Sequence, residues 1–291
     1  MPLKNQAILL ESIQVPKLEK AVRLSDLSSE YFRTINSRKA FKNTIKKGLV
    51  HINGSIGFTA DFIYGGEEIT VYESEIQPIK PSIELKIEVL YEDDYLAIVN
   101  KPAGIVVSGN KKWTLENALP GNLTLSSQSD AIAPEPIHRL DYPTSGVLLI
   151  GKTRSIIISL NKLFEERSIQ KIYYAICIGE MKDQGLIEID VDEKVSKTEF
   201  EVLERVNSPK YNFLNLVELK PHSGRRHQLR KHLSAIGNPI LGDLLYGKEG
   251  LILKGKGLYL HALSLEFEHP ITNDNIRVEA PLPKKYKKIF S

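Results

Sequence analysis

The stretch Gln77-Pro78-Ile79-Lys80-Pro81 constrains this chain more than any other feature. Successive prolines favour extended backbone and oppose helix, and the segment lacks apolar periodicity, so residues 75–85 are expected to be a linker. That splits the 291 residues into a small module, 1–74, and a large one, 86–291. In the small module Leu18, Val22, Phe41 and Ile45 recur at roughly helical spacing up to Gly48. The period then changes. Val50-His51-Ile52 alternates, Asn53-Gly54 is a hairpin-turn signal, and Thr70-Val71-Tyr72 reads as a strand. The expectation is two or so helices followed by a small sheet, with its core over about 17–74.

Beyond Lys86, Ile87–Tyr91 and Leu96–Asn100 flank an Asp93-Asp94 turn, and Val147–Ile150 reads as a buried strand. Thr153 is placed to cap a helix whose inner face is Ile156, Leu160, Leu163 and Phe164. Strands follow at Tyr173–Ile178, Phe200–Arg205 and Phe213–Leu219. A helix from about His227 to Ala235 stops at Gly237, with Pro239 beyond. Many strands and few helices predict an α+β fold rather than a doubly wound parallel sheet. With 42% hydrophobic and 26% charged residues, disorder is excluded as the dominant state. No apolar run reaches the roughly 18 residues of a membrane span, and Glu11 directly after the apolar patch makes Met1–Gln14 a poor signal peptide. The single cysteine, Cys177, excludes an internal disulfide or a multi-thiolate metal site. A soluble cytoplasmic protein is expected.

Two segments are loaded with chemistry. In His138-Arg139-Leu140-Asp141-Tyr142-Pro143-Thr144-Ser145-Gly146, Pro143 and Gly146 restrain a turn that fixes Asp141. Arg139 and His138 beside it would favour its ionised form. Taken alone, Asp141 reads more readily as a turn residue, a reading that leaves Arg139 and His138 unexplained. Lys220–His232 holds five Lys/Arg and three His without an acid. Ser223-Gly224 opening an arginine-rich helix would suit a phosphate; a solvated basic face is the plain alternative. The five-residue spacing of His222, His227 and His232 does not stack them on one helical face, so no metal site is expected. On the strand Lys171-Ile172-Tyr173-Tyr174-Ala175, alternation puts Lys171 and Tyr173 on one face, a cation and an aromatic ring suited to a nucleotide, although a strand tyrosine taken alone is more often core packing.

Together and in this order, these segments resemble the RluA family of pseudouridine synthases. The seven fixed positions in His138-Arg139-Leu140-Asp141 and Thr144-Ser145-Gly146 would coincide by chance roughly once in 10⁹ start sites. The likeness extends through Asn100-Lys101-Pro102-x-Gly104 and Lys171-x-Tyr173-x-Ala175 to Ser223-Gly224-Arg225-x-His227-Gln228-Leu229-Arg230-x-His232. Gly237-x-Pro239-Ile240-x-Gly242-Asp243, Leu260-His261-Ala262 and His269-Pro270 complete it over about Lys86–Pro283. One departure stands out: Val106-Val107-Ser108-Gly109-Asn110 replaces a Val-His-Pro-like stretch. The first module more loosely resembles an S-four-like RNA-binding domain, through Ser37-Arg38-x-Ala40, Ile45-x-x-Gly48-x-Val50-x-Ile52-Asn53-Gly54 and Gly65-x-x-x-Ile69-x-Val71.

The resemblance implies a pseudouridine-synthase-like catalytic domain, a large mainly antiparallel mixed sheet flanked by helices, behind a small α/β RNA-binding domain. It also implies an isomerase acting on uridine in structured RNA, large-subunit ribosomal RNA first and tRNA as the alternative. By that likeness Asp141 is the catalytic carboxylate, Arg230 its ion-pair partner and Tyr173 the ring that stacks on uracil. Arg139, His138, Lys171, Arg225, His227, Gln228 and Leu229 then bind substrate, Arg139 filling the place of a flipped base. In the first module Arg33, Arg38, Lys39, Lys42, Lys46 and Lys47 would hold RNA. A monomer with no metal, nucleotide cofactor or membrane partner is expected. A non-catalytic RNA-binding relative would be expected to lose Asp141, Tyr173 or Arg230. A nucleoside-cleaving hydrolase would need a second acid that no motif supplies. The net charge of +3 conceals an asymmetry: residues 31–50 carry six basic residues and no acid, and the remainder sums to 33 − 36 = −3. With Lys220–Lys231 and the lysines 284, 285, 287 and 288, this predicts a salt-sensitive RNA footprint.

Overall fold

The computed structural model describes residues 7–27, 31–32, 34–35, 37–74 and 82–290. Arg33 and linker residues 75–81 lie outside the described residues. The chain divides into two compact units, Met1–Lys80 and Pro81–Ser291. In the first, β1 (Ala7–Gln14), β2 (Val22–Arg23), α1 (Arg38–Lys46), β3 (Val50–Ile52), β4 (Ser55–Ile56), β5 (Phe62–Ile63) and β6 (Glu68–Ser74) follow in order. An antiparallel sheet runs β1-β6-β3-β4, and β2 pairs with β5. Ser37 caps α1, its Oγ accepting the Ala40 N–H at 3.2 Å. The helix turns Phe41 and Ile45 inward among Leu24, Val50, Ile63 and Ile69. Asn53 and Gly54, both at positive φ (46° and 81°), make the tight turn from β3 to β4.

Two expectations fail in this unit. Its folded core begins at Ala7, not near residue 17, and its sheet includes a strand before the helix: β1 spans the length of β6, but a register shift between Leu9 and Glu11 breaks the alternation that reveals a strand. The helical reading of Leu18 and Val22 is also wrong. That stretch forms β2 and a 3₁₀ turn at Leu24–Asp26, because Val22-Arg23 pairs with Phe62-Ile63. Among the described residues of this unit α1 is the one α-helix.

The second unit is α+β. Its strands are β7 (Glu88–Glu92), β8 (Leu96–Lys101), β9 (Ala131–Pro136), β10 (Ser145–Thr153), β11 (Gln170–Ile178), β12 (Gln184–Glu188), β13 (Lys197–Ser208), β14 (Asn212–Pro221), β15 (Leu260–Glu268) and β16 (Asn275–Glu279). The helices α2 (Arg154–Glu165), α3 (Gln228–Ala235) and α4 (Lys284–Lys287) complete it. One sheet runs β12-β13-β14-β11-β15-β10-β8-β7, with β16 beside β15 and β9 beside β10. All pairings are antiparallel except the short parallel contact of Ser145 and Gly146 in β10 with His261 and Ala262 in β15. Asp93 shapes the β7–β8 turn by accepting the Tyr95 and Leu96 N–H groups at 2.7 and 2.8 Å. Thr153 caps α2 through the Ile156 N–H.

The sheet carries two hydrophobic cores. One gathers β8, β10 and Ile156 and Leu160 of α2; the other gathers β11, Val217 and Leu219 of β14, Leu229 and Leu233 of α3, and Tyr286 of α4. Tyr173 packs against both. The seam between them is the β10–β15 contact, which needs glycine: Gly146 has φ +116°, and a Cβ there would lie 2.0 Å from the Ala262 carbonyl oxygen. The loop carrying Asp141 arrives at this seam from one side and α3 from the other.

Candidate active site

Residues 137–144 link β9 to β10, and their carbonyls are tied down from beneath. Lys101 is fully buried, and its Nζ donates to the carbonyl oxygens of Thr144 at 2.7 Å, Pro102 at 3.0 Å and Tyr142 at 3.5 Å. The Gly104 N–H donates to the Tyr142 carbonyl at 2.8 Å, and Thr144 N–H to that of Asp141 at 3.0 Å. Burial pulls the Lys101 ammonium down to about 8, opposed by the charge of Asp141. Leu140 anchors the loop in the core. Asp141 is thus held by its backbone, with its carboxylate largely enclosed.

The opposing wall is the turn before α3. Ser223-Gly224 does not open the helix: α3 begins at Gln228, and His227 precedes it in the left-handed region at φ 57°. The buried Gln228 side chain organises the turn instead. Its Oε1 accepts from Ser223 Oγ at 2.7 Å and from the Arg225 N–H at 3.2 Å, while its Nε2 donates to Lys197 O and Thr198 Oγ1. The three histidines part company. His222 meets Glu199, the buried His232 meets Thr198, Ser196 and the Ile189 carbonyl, and His227 faces Asp141.

Arg230 is buried and points back along α3's flank. Its Nε and Nη2 bind Asp243 Oδ2 and Oδ1 at 2.7 and 2.8 Å, and its Nη1 lies 3.4 Å from Asp141 Oδ2. Burial opposes the guanidinium charge, but the hydrogen bonds and charge of Asp243, with those of Asp141, raise its pKa. Burial likewise works against an ionised Asp243, yet Arg230 and the N–H groups of Leu245 and Tyr246 hold its carboxyl below the ordinary value. His227 Nε2 lies 3.6 Å from Asp141 Oδ1, and its Nδ1 meets the Tyr246 hydroxyl at 2.9 Å. Burial lowers the His227 pKa, with Asp141 opposing. The Arg230 guanidinium lies 5.1 Å from the Tyr246 ring centre. Asp141, Arg230, Asp243, Tyr246 and His227 therefore close a circuit. Gly242 lets it close, since a Cβ there would meet the Gly257 carbonyl oxygen at 2.0 Å.

Asp141, Arg139, His227 and Arg230 line two cavities. The larger, about 570 Å³, has an apolar wall of Val106, Val107, Leu244, Leu245 and Leu253. The smaller, about 140 Å³, is lined by Tyr173, Leu229, Leu260, Thr144 and Arg225. Burial, then the charge of Asp141, pushes the Tyr173 phenol well up. A carboxylate opposite a clamped guanidinium, beside a protonated phenol ring, can attack or deprotonate a substrate held between them.

Some expected residues lie elsewhere. His138 does not face Asp141: its Nε2 accepts the Leu149 N–H at 3.1 Å and its ring lies against Phe164 at 5.1 Å. Burial drives its pKa down to about 3, so it is neutral. Lys171 lines neither cavity. Its Nζ sits 5.7 Å from the Phe164 ring centre. Leu229 is mainly a core residue. Three residues of the site had been given no role. Lys101 and Asp243 stood inside matched motifs but make their contacts across the fold, and Tyr246 carried no signal. In the first unit Lys39, Lys46 and Lys47 are exposed, whereas Arg38 and Lys42 turn to Asp26, Lys42 at 3.9 Å. Lys285 is not part of a basic surface: its Nζ donates to the Leu258 carbonyl at 2.7 Å, over the Tyr259 ring.

Comparison with known proteins shows which family the chain is similar to. A family model described as RNA pseudouridylate synthase matches residues 95–235. An uncharacterized RNA pseudouridine synthase of Aquifex aeolicus is 34% identical, over 88% of this chain and 89% of its own. Ribosomal large subunit pseudouridine synthase C of Pasteurella multocida is 33% identical, over 84% and 82% respectively. The structure of human RNA pseudouridylate synthase domain containing 4 superposes with a TM-score of 0.57 at 26% identity, covering 69% of this chain and 90% of that one. With the motifs assembled around one carboxylate and the match running nearly the length of its relatives, the chain belongs to the RluA family of RNA pseudouridine synthases.

Proposed function

We propose that this isomerase acts on large-subunit ribosomal RNA and that Asp141 is its catalytic carboxylate. The observation that carries the reading is the place of Asp141 between the two cavities, facing Arg230 across 3.4 Å while Asp243 holds Arg230 from behind. Support for the substrate comes from the Pasteurella multocida relative, whose name specifies the large ribosomal subunit. Isomerisation breaks the N1–C1′ bond, turns the uracil and joins C5 to C1′, with no net redox change or group lost. The smaller cavity suits a single pyrimidine ring stacked on Tyr173 and its ribose beside Asp141. A phenol pushed upward by burial meets the base protonated, so Tyr173 stacks and donates rather than accepting the C5 proton as a phenolate. A paired uridine must leave its stack to enter, and the exposed Arg139 at the mouth of both cavities can fill the vacated space.

The first unit, in this reading, is an S-four-like RNA-binding domain that presents Lys39, Lys46 and Lys47 of α1 and the residue after it. The enzyme works as a cytoplasmic monomer without metal or nucleotide cofactor. Mapping pseudouridines in ribosomal RNA of a deletion strain tests the proposal. The intact gene should restore the missing site, and Asp141→Asn should not, while the purified variant still binds RNA. Restoration by Asp141→Asn would sink the assignment. Release of free uracil from RNA would indicate hydrolysis of the same bond instead.

A further inference from the structure

Between buried Val107 and buried Thr114 lie six consecutive exposed residues, Ser108-Gly109-Asn110-Lys111-Lys112-Trp113. Trp113 is the chain's single tryptophan and is 55% exposed. A ring of that size in water forfeits the burial that normally stabilises it, and nothing in the core depends on it. The loop is nevertheless firmly rooted. Val106 bridges to Thr114, the Leu115 and Glu116 N–H groups donate to Val106 and Val107 at 2.9 Å, and Asn117 Nδ2 donates to the Lys112 carbonyl at 2.8 Å and that of Lys111 at 3.3 Å. Thr114 and Asn117 are buried, so the chain is pinned immediately after the tryptophan. The same root reaches the site: Val106, Val107 and Ser108 line the larger cavity beside Asp141. Among the described residues neither Lys111 nor Lys112 is in an ion pair.

We infer that Trp113 is a stacking platform for an unpaired base of the RNA next to the target uridine, with Lys111 and Lys112 meeting the phosphates beside that base. Three features select this occupant. A base presents a flat π face to a ring held clear of the core, two free lysines complement a phosphate backbone, and the loop springs from the wall of the larger cavity, which Asp141 also lines. An aromatic beside cations binds single-stranded nucleic acid without reading its sequence, so the contact supplies affinity and register rather than identity. The inference rests on the family's RNA substrate and not on the role of Asp141.

Because Trp113 is the only tryptophan, its fluorescence reports the contact directly. The full-length Asp141→Asn protein is titrated with a stem–loop RNA and with a blunt duplex of equal length. Emission should be quenched on binding the stem–loop and much less on binding the duplex. Unchanged emission at saturating stem–loop, or equal quenching by both, overturns the inference. In the Asp141-intact enzyme Trp113→Ala should raise KM for protein-free ribosomal RNA about tenfold, the loss of one base–aromatic stack, with kcat within about twofold. Trp113→Phe should recover most of the loss. An unaltered KM for Trp113→Ala also overturns it. If the enzyme forms no pseudouridine while quenching persists, the functional proposal fails and the RNA contact stands.

Discussion

Two basic segments of this chain have similar composition and opposite fates. Residues 31–50 carry six Lys and Arg without an acid, and 220–232 carry five with three histidines. Along α1 the cations Lys39, Lys46 and Lys47 stay in water while Phe41 and Ile45 face inward. Along α3 the cation goes inside: Arg230 is 4% exposed, Gln228 and His232 are buried with it, and Arg225 and Arg226 remain outside. A solvated lysine needs no partner, whereas a buried guanidinium needs its charge and its donors answered. Asp243 does both, in bidentate geometry, and leaves one amino group for Asp141. The contrast shows that a charge run acquires meaning from what the fold places opposite it.

Removing the partner should therefore matter on α3 and hardly at all on α1. Arg230→Met leaves Asp243 buried and Asp141 unopposed, and stability should fall by about 3–5 kcal/mol. Pseudouridine formation should fall by at least ~10²-fold, as for loss of a charge aimed at the reacting group. Denaturant unfolding and a single-turnover assay measure the two. Arg230→Met combined with Asp243→Leu should recover much of the stability and none of the activity. Recovery of activity by the pair would mean that Arg230 serves only Asp243.

Lys101 carries the contrast into one residue, because it is a lysine of the buried kind. Its ordinary value is 10.5 and burial brings it to about 8. Between those pH values the unfolded chain holds the extra proton, so this group's contribution to stability rises with pH across the window. It is fully present above the unfolded value and is lost as pH falls through about 8. The rise amounts to roughly 3 kcal/mol. Lys101→Met should remove that slope from the difference between the two stability–pH curves, where Lys285, also lowered to about 8, cancels. The variant also frees the carbonyls of Pro102 and Thr144, so activity should drop while RNA binding persists. An unchanged slope would mean that the three carbonyls keep Lys101 charged despite its burial.

Much of the second unit was legible because its signals are local. The Thr153 cap, the Asp93 turn and the apolar strands all declare themselves within a few residues. Asp141 and Arg230 were legible as motif positions. What escaped is what the third dimension decides. Asp243 lies 13 residues from Arg230 and beyond the end of α3, so no helical period connects them. His138 and Lys171 were assigned to the substrate by family likeness, as members of the motifs that hold Asp141 and Tyr173. Their side chains turn to Phe164, His138 from the fixed loop and Lys171 from β11. The strand β1 was lost because one extra residue, Leu10, inverts its alternating pattern.

The gentlest test lies on α1 and separates its lysines from its arginine. Arg38 is paired with Asp26 and Lys42 lies near it, so neither offers a fully free charge. Lys39, Lys46 and Lys47 are exposed. Changing these three to glutamine should leave stability within about 0.5 kcal/mol, because no buried contact is lost. RNA affinity should fall, and the slope of log K against log salt should flatten by about 0.7–0.9 for each phosphate contact removed. Three contacts would flatten it by about two to three. Filter binding over a salt series measures the slope, with Arg38→Gln as the companion. That variant should flatten it less, since Asp26 already answers its charge, although the loss of the pair frees a carboxylate that repels RNA at low salt. Equal slopes for wild type and the triple variant would remove the first unit from the RNA footprint. The cations of the second unit would then carry it alone.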